Sequence, residues 1–322
     1  MIKCDLCPRH CQIAPGKRGN CGVRINLDGE LKTLVYGKPC AVHVDPIEKK
    51  PLFHFLPGSK AFSIATAGCN LHCKYCQNWE ISQRLPEDVE SIDMPPQKVV
   101  DEALRTECKS IAYTYSDPII FYEYTYDISK LAKQHNVRNV LITAGWIEQQ
   151  ALIDLLPYTD AIKIDFKGIT EEFYQKMSEA TLQPVLDAIK TIHKNNTWLE
   201  LVNLVVPTWN DSDADIEKLC SWILDNVGPN TPLHFSKFWP IHKLENLPPT
   251  PVATLTRAWE IAKNKGLNFV YIGNVPGHPG NNTYCPQCKK IAIKREGYEI
   301  LEYNLDNGTC KFCANKIPGI WE

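Results

Sequence analysis

The chain has almost no surplus charge: 35 Lys and Arg stand against 37 Asp and Glu, a formal net charge of -2 over 322 residues. That balance offers no basic field for nucleic acid or for an acidic membrane surface. Long apolar runs are missing too. None approaches the ~18 residues of a membrane-spanning helix, and the first residues, "MIKCDLCPRHC", lack the apolar stretch of a secretory leader. There is no internal repeat and no low-complexity tract. The expectation is a cytoplasmic protein with neither nucleic-acid nor membrane partners. At 44% hydrophobic residues, the chain can bury one large core with a small appended module.

What is abundant is cysteine, with 14 in the chain. Four fall at Cys4, Cys7, Cys11 and Cys21, three at Cys69, Cys73 and Cys76, and four at Cys285, Cys288, Cys310 and Cys313. Cys40, Cys108 and Cys220 stand apart; the last two lie on apolar helical faces and read as core residues. Gaps of two or three residues place sulfurs around one metal centre, whereas disulfides join residues distant in sequence. The clusters indicate a metalloprotein of a reducing compartment.

Between the outer clusters, short β-rich runs alternate with helical patterns. Strands are predicted at 61–66, 110–115, 138–143, 160–165, 198–206, 232–238 and 268–272, most of them apolar on both faces as buried parallel strands are. Helices are predicted near 97–107, 119–134, 147–156, 182–194, 213–226 and 251–265. Repeated β-then-α units imply right-handed parallel crossovers, hence an α/β fold, either a partial barrel or a doubly wound sheet. Functional loops then lie at the C-terminal strand ends, and Cys69 follows the first strand by three residues. Residues 1–58 read as an N-terminal Cys-rich metal-binding segment containing a hairpin at "INLDGELKTLVYG", 59–275 as the β/α core, and 276–322 as a Cys-rich C-terminal module.

The central motif, Cys69-x3-Cys73-x2-Cys76, supplies three thiolates where most metal sites want four ligands. His72 directly precedes Cys73, and adjacent residues rarely close one tetrahedron. Spacing alone leaves a structural zinc, a catalytic zinc with one open position, and an iron–sulfur cluster with one open iron as alternatives.

C-x3-C-x2-C with Tyr75 before its last cysteine, after the first strand of a β/α core, resembles the signature of radical S-adenosylmethionine (SAM) enzymes. "DPIEKKPLFHFLPGS", "GCNLHCKYCQNWEIS", "YTYSDPIIFYEY", "DAIKIDFKG", "LVVPTWND", "PLHFSKFWP" and "FVYIGNV" are similar to blocks of the AmmeMemoRadiSam-system subfamily, which is related to pyruvate formate-lyase activating enzymes. The resemblance implies a partial (β/α)6 TIM-like barrel and a [4Fe–4S] cluster held by Cys69, Cys73 and Cys76, with SAM on the open iron. It also implies roles at individual positions. Tyr75 would pack near the adenine. Thr114 and Asp117 of "TYSDP" occupy the place of a Gly-Gly-Glu-Pro loop, with Asp117 accepting from the SAM amino group. Asp165 and Lys167 would face the amino-acid end of SAM. Thr143 belongs to a Thr-Asn-Gly position that here reads Thr143-Ala144-Gly145, a departure that removes a side-chain amide. Val206 and Asn274 are candidates for the adenine and the barrel mouth, and His242 for the ribose. Plainer readings stand beside these: Tyr75 as core, Asp165 and Lys167 as an ion pair, His242 as a turn residue.

Cys285-x2-Cys288 and Cys310-x2-Cys313 have the paired-knuckle spacing of a zinc ribbon, with alternating strands between and a turn at Asp306-Asn307-Gly308. Four ligands make a closed, structural zinc-ribbon-like site, with an electron-transfer iron centre as the alternative. Cys4, Cys7, Cys11 and Cys21 fit zinc or an auxiliary iron–sulfur cluster, and spacing does not discriminate.

The expected function is a radical SAM oxidoreductase that cleaves SAM reductively and abstracts hydrogen from a substrate, a protein or peptide being admissible. A one-electron donor such as flavodoxin or ferredoxin is implied, and the family association adds Memo-like or AMMECR-like partner proteins. The alternatives are a glycyl-radical enzyme activase and a non-catalytic iron–sulfur electron-transfer or zinc scaffold protein.

Overall fold

The computed structural model describes all 322 residues, Met1–Glu322. Its centre is an eight-stranded sheet. Strand β1 (Ala41–Pro46) lies antiparallel on the outer edge of β2 (Lys60–Ala65). From β2 every partner is parallel: β3 (Ser110–Tyr113), β4 (Arg138–Thr143), β5 (Ala161–Asp165), β6 (Trp198–Val205), β7 (Leu233–Lys237) and β8 (Val270–Gly273). Spatial order follows chain order, and β1 and β8 are unpaired outer edges, so the sheet does not close.

Helices α1 (Pro96–Arg105), α2 (Tyr122–Gln134), α3 (Gln149–Leu155), α4 (Glu171–Ser178), α5 (Leu182–Lys194), α6 (Asp213–Val227) and α7 (Val252–Lys265) supply the crossovers. Their apolar stripes cover the sheet, as Val99, Val100 and Ala103 of α1 and Val185, Ala188, Ile189 and Ile192 of α5 show. Six β/α units therefore precede β8, which no α-helix follows. All seven strands and six helices read from the sequence are present, with ends shifted by at most three residues. Helix α4 was not anticipated. Its start signals are nonetheless present: the Thr170 hydroxyl accepts from the Phe173 N–H, and Glu171 and Glu172 occupy the first turn.

The hairpin anticipated in the N-terminal segment pairs Arg24–Leu27 with Glu30–Thr33. Near the C-terminus, β9 (Thr283–Tyr284), β10 (Ile291–Glu296) and β11 (Glu299–Tyr303) form an antiparallel sheet, and β12 (Leu305–Asp306) and β13 (Thr309–Cys310) a short hairpin. Asn307 and Gly308 turn that hairpin at φ 40° and 75°, the left-handed region an Asn-Gly pair tolerates.

A buried polar network joins this module to the N-terminal ends of the barrel strands. Glu200 of β6 accepts from the backbone N–H of Phe53 (3.0 Å) and His54 (2.8 Å) and contacts His234 Nε2 of β7 (2.8 Å). Arg295 of β10 donates to Phe53 O and Thr283 Oγ1, both at 2.8 Å. Burial alone would raise the Glu200 carboxyl pKa, but His234, His54 and the Phe53 N–H outweigh it and keep the pKa low.

Candidate active site

At the opposite, C-terminal ends of the strands, residues from the whole width of the sheet line one cavity of roughly 370 Å³, within the range of small-molecule sites. Lys50, Cys69 and Thr114 from its first part share that cavity with Ser236 and Asn274 from its last. A flat sheet could not bring these together, so the parallel strands curl around the site.

The loop after β2 carries Cys69, Cys73 and Cys76, and all three line the cavity. Two features hold it. Gly68 sits at φ 88°, and a Cβ there would lie 2.5 Å from the Cys21 carbonyl oxygen, so only glycine permits this approach. On the other flank, the N–H groups of His72 and Lys74 donate to the carbonyls of Ser178 (3.0 Å) and Met177 (2.9 Å) at the end of α4. Tyr75 is buried beside Phe173 with its hydroxyl 3.2 Å from Ser178 Oγ, and it also lines the cavity. Both readings of Tyr75, core packing and cavity wall, therefore apply to one side chain.

Donors point at the sulfurs. Backbone N–H groups of Leu71 and Asp117 approach Cys69, that of Asn78 approaches Cys76, and Ser82 Oγ lies 3.1 Å from Cys76 Sγ. Burial raises both thiols above their ordinary pKa, so metal binding here must displace protons. The three sulfurs do not converge as those of the C-terminal module do. There, Cys285, Cys288, Cys310 and Cys313 all lie within 4.8 Å of one another, with Sγ···Sγ distances of 3.6 and 3.8 Å. Thiolates ~2.3 Å from one tetrahedral ion sit about 3.8 Å apart. The C-terminal set is spaced for a single ion, and the central set is spaced for something larger.

Asp117, Asp165, Lys167, Thr114 and Asn274 also line the cavity. Asp117 is already well supplied with donors: the Ile119 N–H at 3.2 Å, the Ala144 N–H at 2.8 Å, and the Thr143 hydroxyl at 3.0 Å from both carboxylate oxygens. Thr143 therefore stands behind Asp117 and off the wall. The Ala144 contact is made by backbone, so the side-chain departure at 144 does not disturb it. Burial nevertheless dominates, and the Asp117 pKa is raised. Asp165 pairs with Lys163, two residues away on the same face of β5, so the anticipated Asp165–Lys167 ion pair is not formed. The Lys167 ammonium lies 5.7 Å from the centre of the Tyr75 ring. Its burial works against the charge, but Cys73, Tyr75 and Asp165 outweigh it and raise the pKa.

Two candidates are placed elsewhere. Val202 and Leu204, two residues apart on one face of β6, line the cavity; Val206 continues that spacing but lies just beyond the strand end, where it is fully buried and off the cavity wall. His242, at φ 58°, stacks on Trp79 with ring centroids 5.2 Å apart, outside the cavity. Residues not singled out in the sequence also line the cavity, Lys50, Tyr115 and Lys163 among them. Lys50 is buried, donates to Asp45 at 2.6 Å and lies 4.3 Å from the centre of the Tyr115 ring; the Tyr115 hydroxyl also donates to Asp45. Lys163 was detectable as a charge inside the otherwise apolar run "DAIKID". Lys50 and Tyr115 lie 65 residues apart, and nothing local signals their meeting.

A parallel β/α core curled about a cavity, with three thiols from the loop after its first parallel strand, defines a metallocofactor-dependent β/α protein. Comparison with known proteins is more specific: residues 63–222 match the Radical SAM superfamily model. The chain belongs to the radical SAM superfamily. Over 318 residues it is 46% identical to the uncharacterized protein MJ0808 of Methanocaldococcus jannaschii, spanning 98% of this chain and 95% of that one. It is 22% identical to the pyruvate formate-lyase-activating enzyme of Clostridium pasteurianum over 50% of this chain and 67% of that enzyme. A radical SAM methyltransferase from Sphaerobacter thermophilus shares the fold at a TM-score of 0.54 and 13% identity, covering 72% of this chain and 71% of that one. Membership implies a [4Fe–4S] cluster and SAM, and supports an enzyme. The three spread sulfurs, their N–H donors and the charged cavity wall fit that pair of groups.

Proposed function

We propose that the chain is a radical SAM oxidoreductase of the AmmeMemoRadiSam type, acting on a substrate that enters the cavity at the strand C-termini. The observation that carries this reading is the opening of Cys69, Cys73 and Cys76 onto the same cavity as Asp117, Asp165 and Lys167. A [4Fe–4S] cluster with SAM bound at these residues would supply one-electron reductive cleavage of SAM and hydrogen-atom abstraction from substrate.

The protein's part is to bind, orient and shield. Cys69, Cys73 and Cys76 would hold three irons and leave the fourth for SAM. Lys167 presents a cation to a carboxylate, and Asp165, kept ionised by Lys163 and Lys167, presents an acceptor to an ammonium. Asp117 fixes the loop after β3 against Thr143 and Ala144, and Tyr75 provides an aromatic wall. The buried surroundings exclude water from the reacting region.

Anaerobically purified protein is expected to turn brown, to hold iron and acid-labile sulfide, and to form 5′-deoxyadenosine from SAM under dithionite. Cys73→Ala should abolish that product. A colourless, zinc-only protein that leaves SAM intact would refute the reading. The similarity to pyruvate formate-lyase-activating enzymes favours glycyl-radical activation as the second reading. A glycyl radical signal appearing on a co-purifying protein would select it.

A further inference from the structure

We propose that Cys4, Cys7, Cys11 and Cys21 hold a second, fully coordinated iron–sulfur cluster, and that it relays electrons into the Cys69–Cys76 loop. The first part stands on the geometry of the N-terminal segment. The relay rests in addition on the radical SAM reading of the central site.

The four cysteines line one cavity. They are not spaced for a single ion. Only the C-terminal cysteines bring three or more sulfurs within 4.8 Å of one another, whereas a tetrahedral zinc needs its thiolates about 3.8 Å apart. An iron–sulfur core, with several irons and bridging sulfides, holds its cysteines further apart. The N-terminal set thus shares the spread arrangement of the central set and differs from the compact C-terminal one.

A second, independent feature points to an anionic occupant. Arg24 is buried at 5% exposure on the cavity wall. Two of its guanidinium nitrogens bind Glu123, at 2.5 and 2.7 Å. Its Nε–H has no partner, and neither does the Nε–H of Arg9 on the same wall. Buried donors are rarely left unpaired. Sulfide and thiolate sulfurs of a cluster are the acceptors missing from this site, and the Asn20 N–H already approaches Cys11 Sγ at 3.5 Å.

The position suggests the role. The carbonyl of Cys21 lies against Gly68, the residue immediately before Cys69. Asn70, the residue after Cys69, lines the N-terminal cavity. Cys21 of one set thus packs its carbonyl against the residue next to Cys69 of the other. Zinc has no redox chemistry and could only brace this junction. A cluster there accepts one electron from a reduced low-potential donor of the flavodoxin or ferredoxin class and passes that electron to the central cluster. The donor ends one electron oxidised, the N-terminal cluster returns to its starting state, and the central cluster is reduced by one electron.

The test uses full-length protein reconstituted anaerobically with iron and sulfide. Cys69→Ala/Cys73→Ala/Cys76→Ala should retain iron and acid-labile sulfide in equal amounts, with a dithionite-reducible paramagnetic signal that SAM does not alter. Zinc, or sulfide-free iron, in place of that cluster would overturn the assignment. Failure of the central-site reading shows separately, as a central cluster in the wild type that SAM does not perturb. Arg24→Gln keeps all four cysteines and should lower the midpoint potential of the N-terminal signal, because a cation that stabilises the more negative reduced state is gone; an unchanged potential counts against Arg24 as donor. For the relay, Cys7→Ala/Cys11→Ala should lower the ratio of donor-driven to dithionite-driven SAM cleavage by an order of magnitude. An unchanged ratio would reduce the cluster to a structural element.

Discussion

Thr143 at the end of β4 donates its hydroxyl to both carboxylate oxygens of Asp117, at 3.0 Å each. Asp117 is buried, its pKa is already raised by desolvation, and its donors are the Thr143 hydroxyl and the backbone N–H groups of Ile119 and Ala144. Thr143→Val keeps the shape and removes one of them. The cost of an under-satisfied buried acceptor is about 1–3 kcal/mol. Urea denaturation should show a loss of that size, with weaker SAM binding in the folded variant. Thr114→Val, on the same wall with no Asp117 contact, is the control. Equal stability of Thr143→Val and wild type would remove Thr143 as the support for Asp117.

Lys50 gives the site a pH signature. Burial lowers its pKa to about 8, against partial support from Asp45. In the unfolded chain the group titrates near ~10.4. Between these values the unfolded state binds the proton and the folded state has released it, so stability rises with pH across this window. Below pH 8 both states are protonated and the contribution is flat. The full rise from this group is on the order of 3 kcal/mol. Lys50→Met should flatten the wild-type increase between pH 8 and 10, read as denaturation midpoints. An identical slope in both proteins would mean that Lys50 titrates normally.

The fold was largely legible because its strands are apolar on both faces and its helices are amphipathic, so periodicity and turn residues mark each unit. Helix α4 was missed because it is short and ends at Glu179 in a left-handed conformation that no glycine marks. The central thiols were legible from spacing alone, and their spread is what separates them from the C-terminal set. The meeting of Lys50 with Tyr115 was not. Lys50 meets Asp45 locally, across the turn that follows β1, but it meets Tyr115 only through tertiary packing, which leaves no local pattern. Val206 illustrates a finer limit: one residue past the strand end, alternation no longer says which way a side chain points.

The C-terminal sulfurs are spaced for one ion, so one zinc per chain is the expected content of that module. Cys285 and Cys310 are buried in a cluster with Phe53, Phe269, Tyr271 and Ile293, which ties metal binding to the underside of the barrel. Structural zinc contributes on the order of 10 kcal/mol to the folding of the segment it holds. Cys310→Ser should therefore lose the zinc and lower the melting temperature, while the absorbance of a cluster at Cys69, Cys73 and Cys76 persists. Iron in place of zinc in the wild-type module would contradict the single-ion assignment.

Gly68 and Gly16 separate strain from collision. Both have positive φ, 88° and 71°, but a Cβ at Gly16 meets nothing within 4 Å, whereas at Gly68 it would lie 2.5 Å from Cys21 O and 2.7 Å from Val23 Cγ1. Gly16→Ala is expected to cost only the left-handed backbone penalty, about 1–2 kcal/mol. Gly68→Ala adds a backbone clash and must push the turn at Cys21 away from the cysteine loop, for a total of several kcal/mol. The two substitutions should also differ in spectroscopy. Gly16→Ala should leave any magnetic coupling between the N-terminal and central centres intact, and Gly68→Ala should weaken it, because Cys21 packs directly against Gly68. Comparable effects of the two substitutions on stability and coupling would show that the loop and the N-terminal segment are not packed as described.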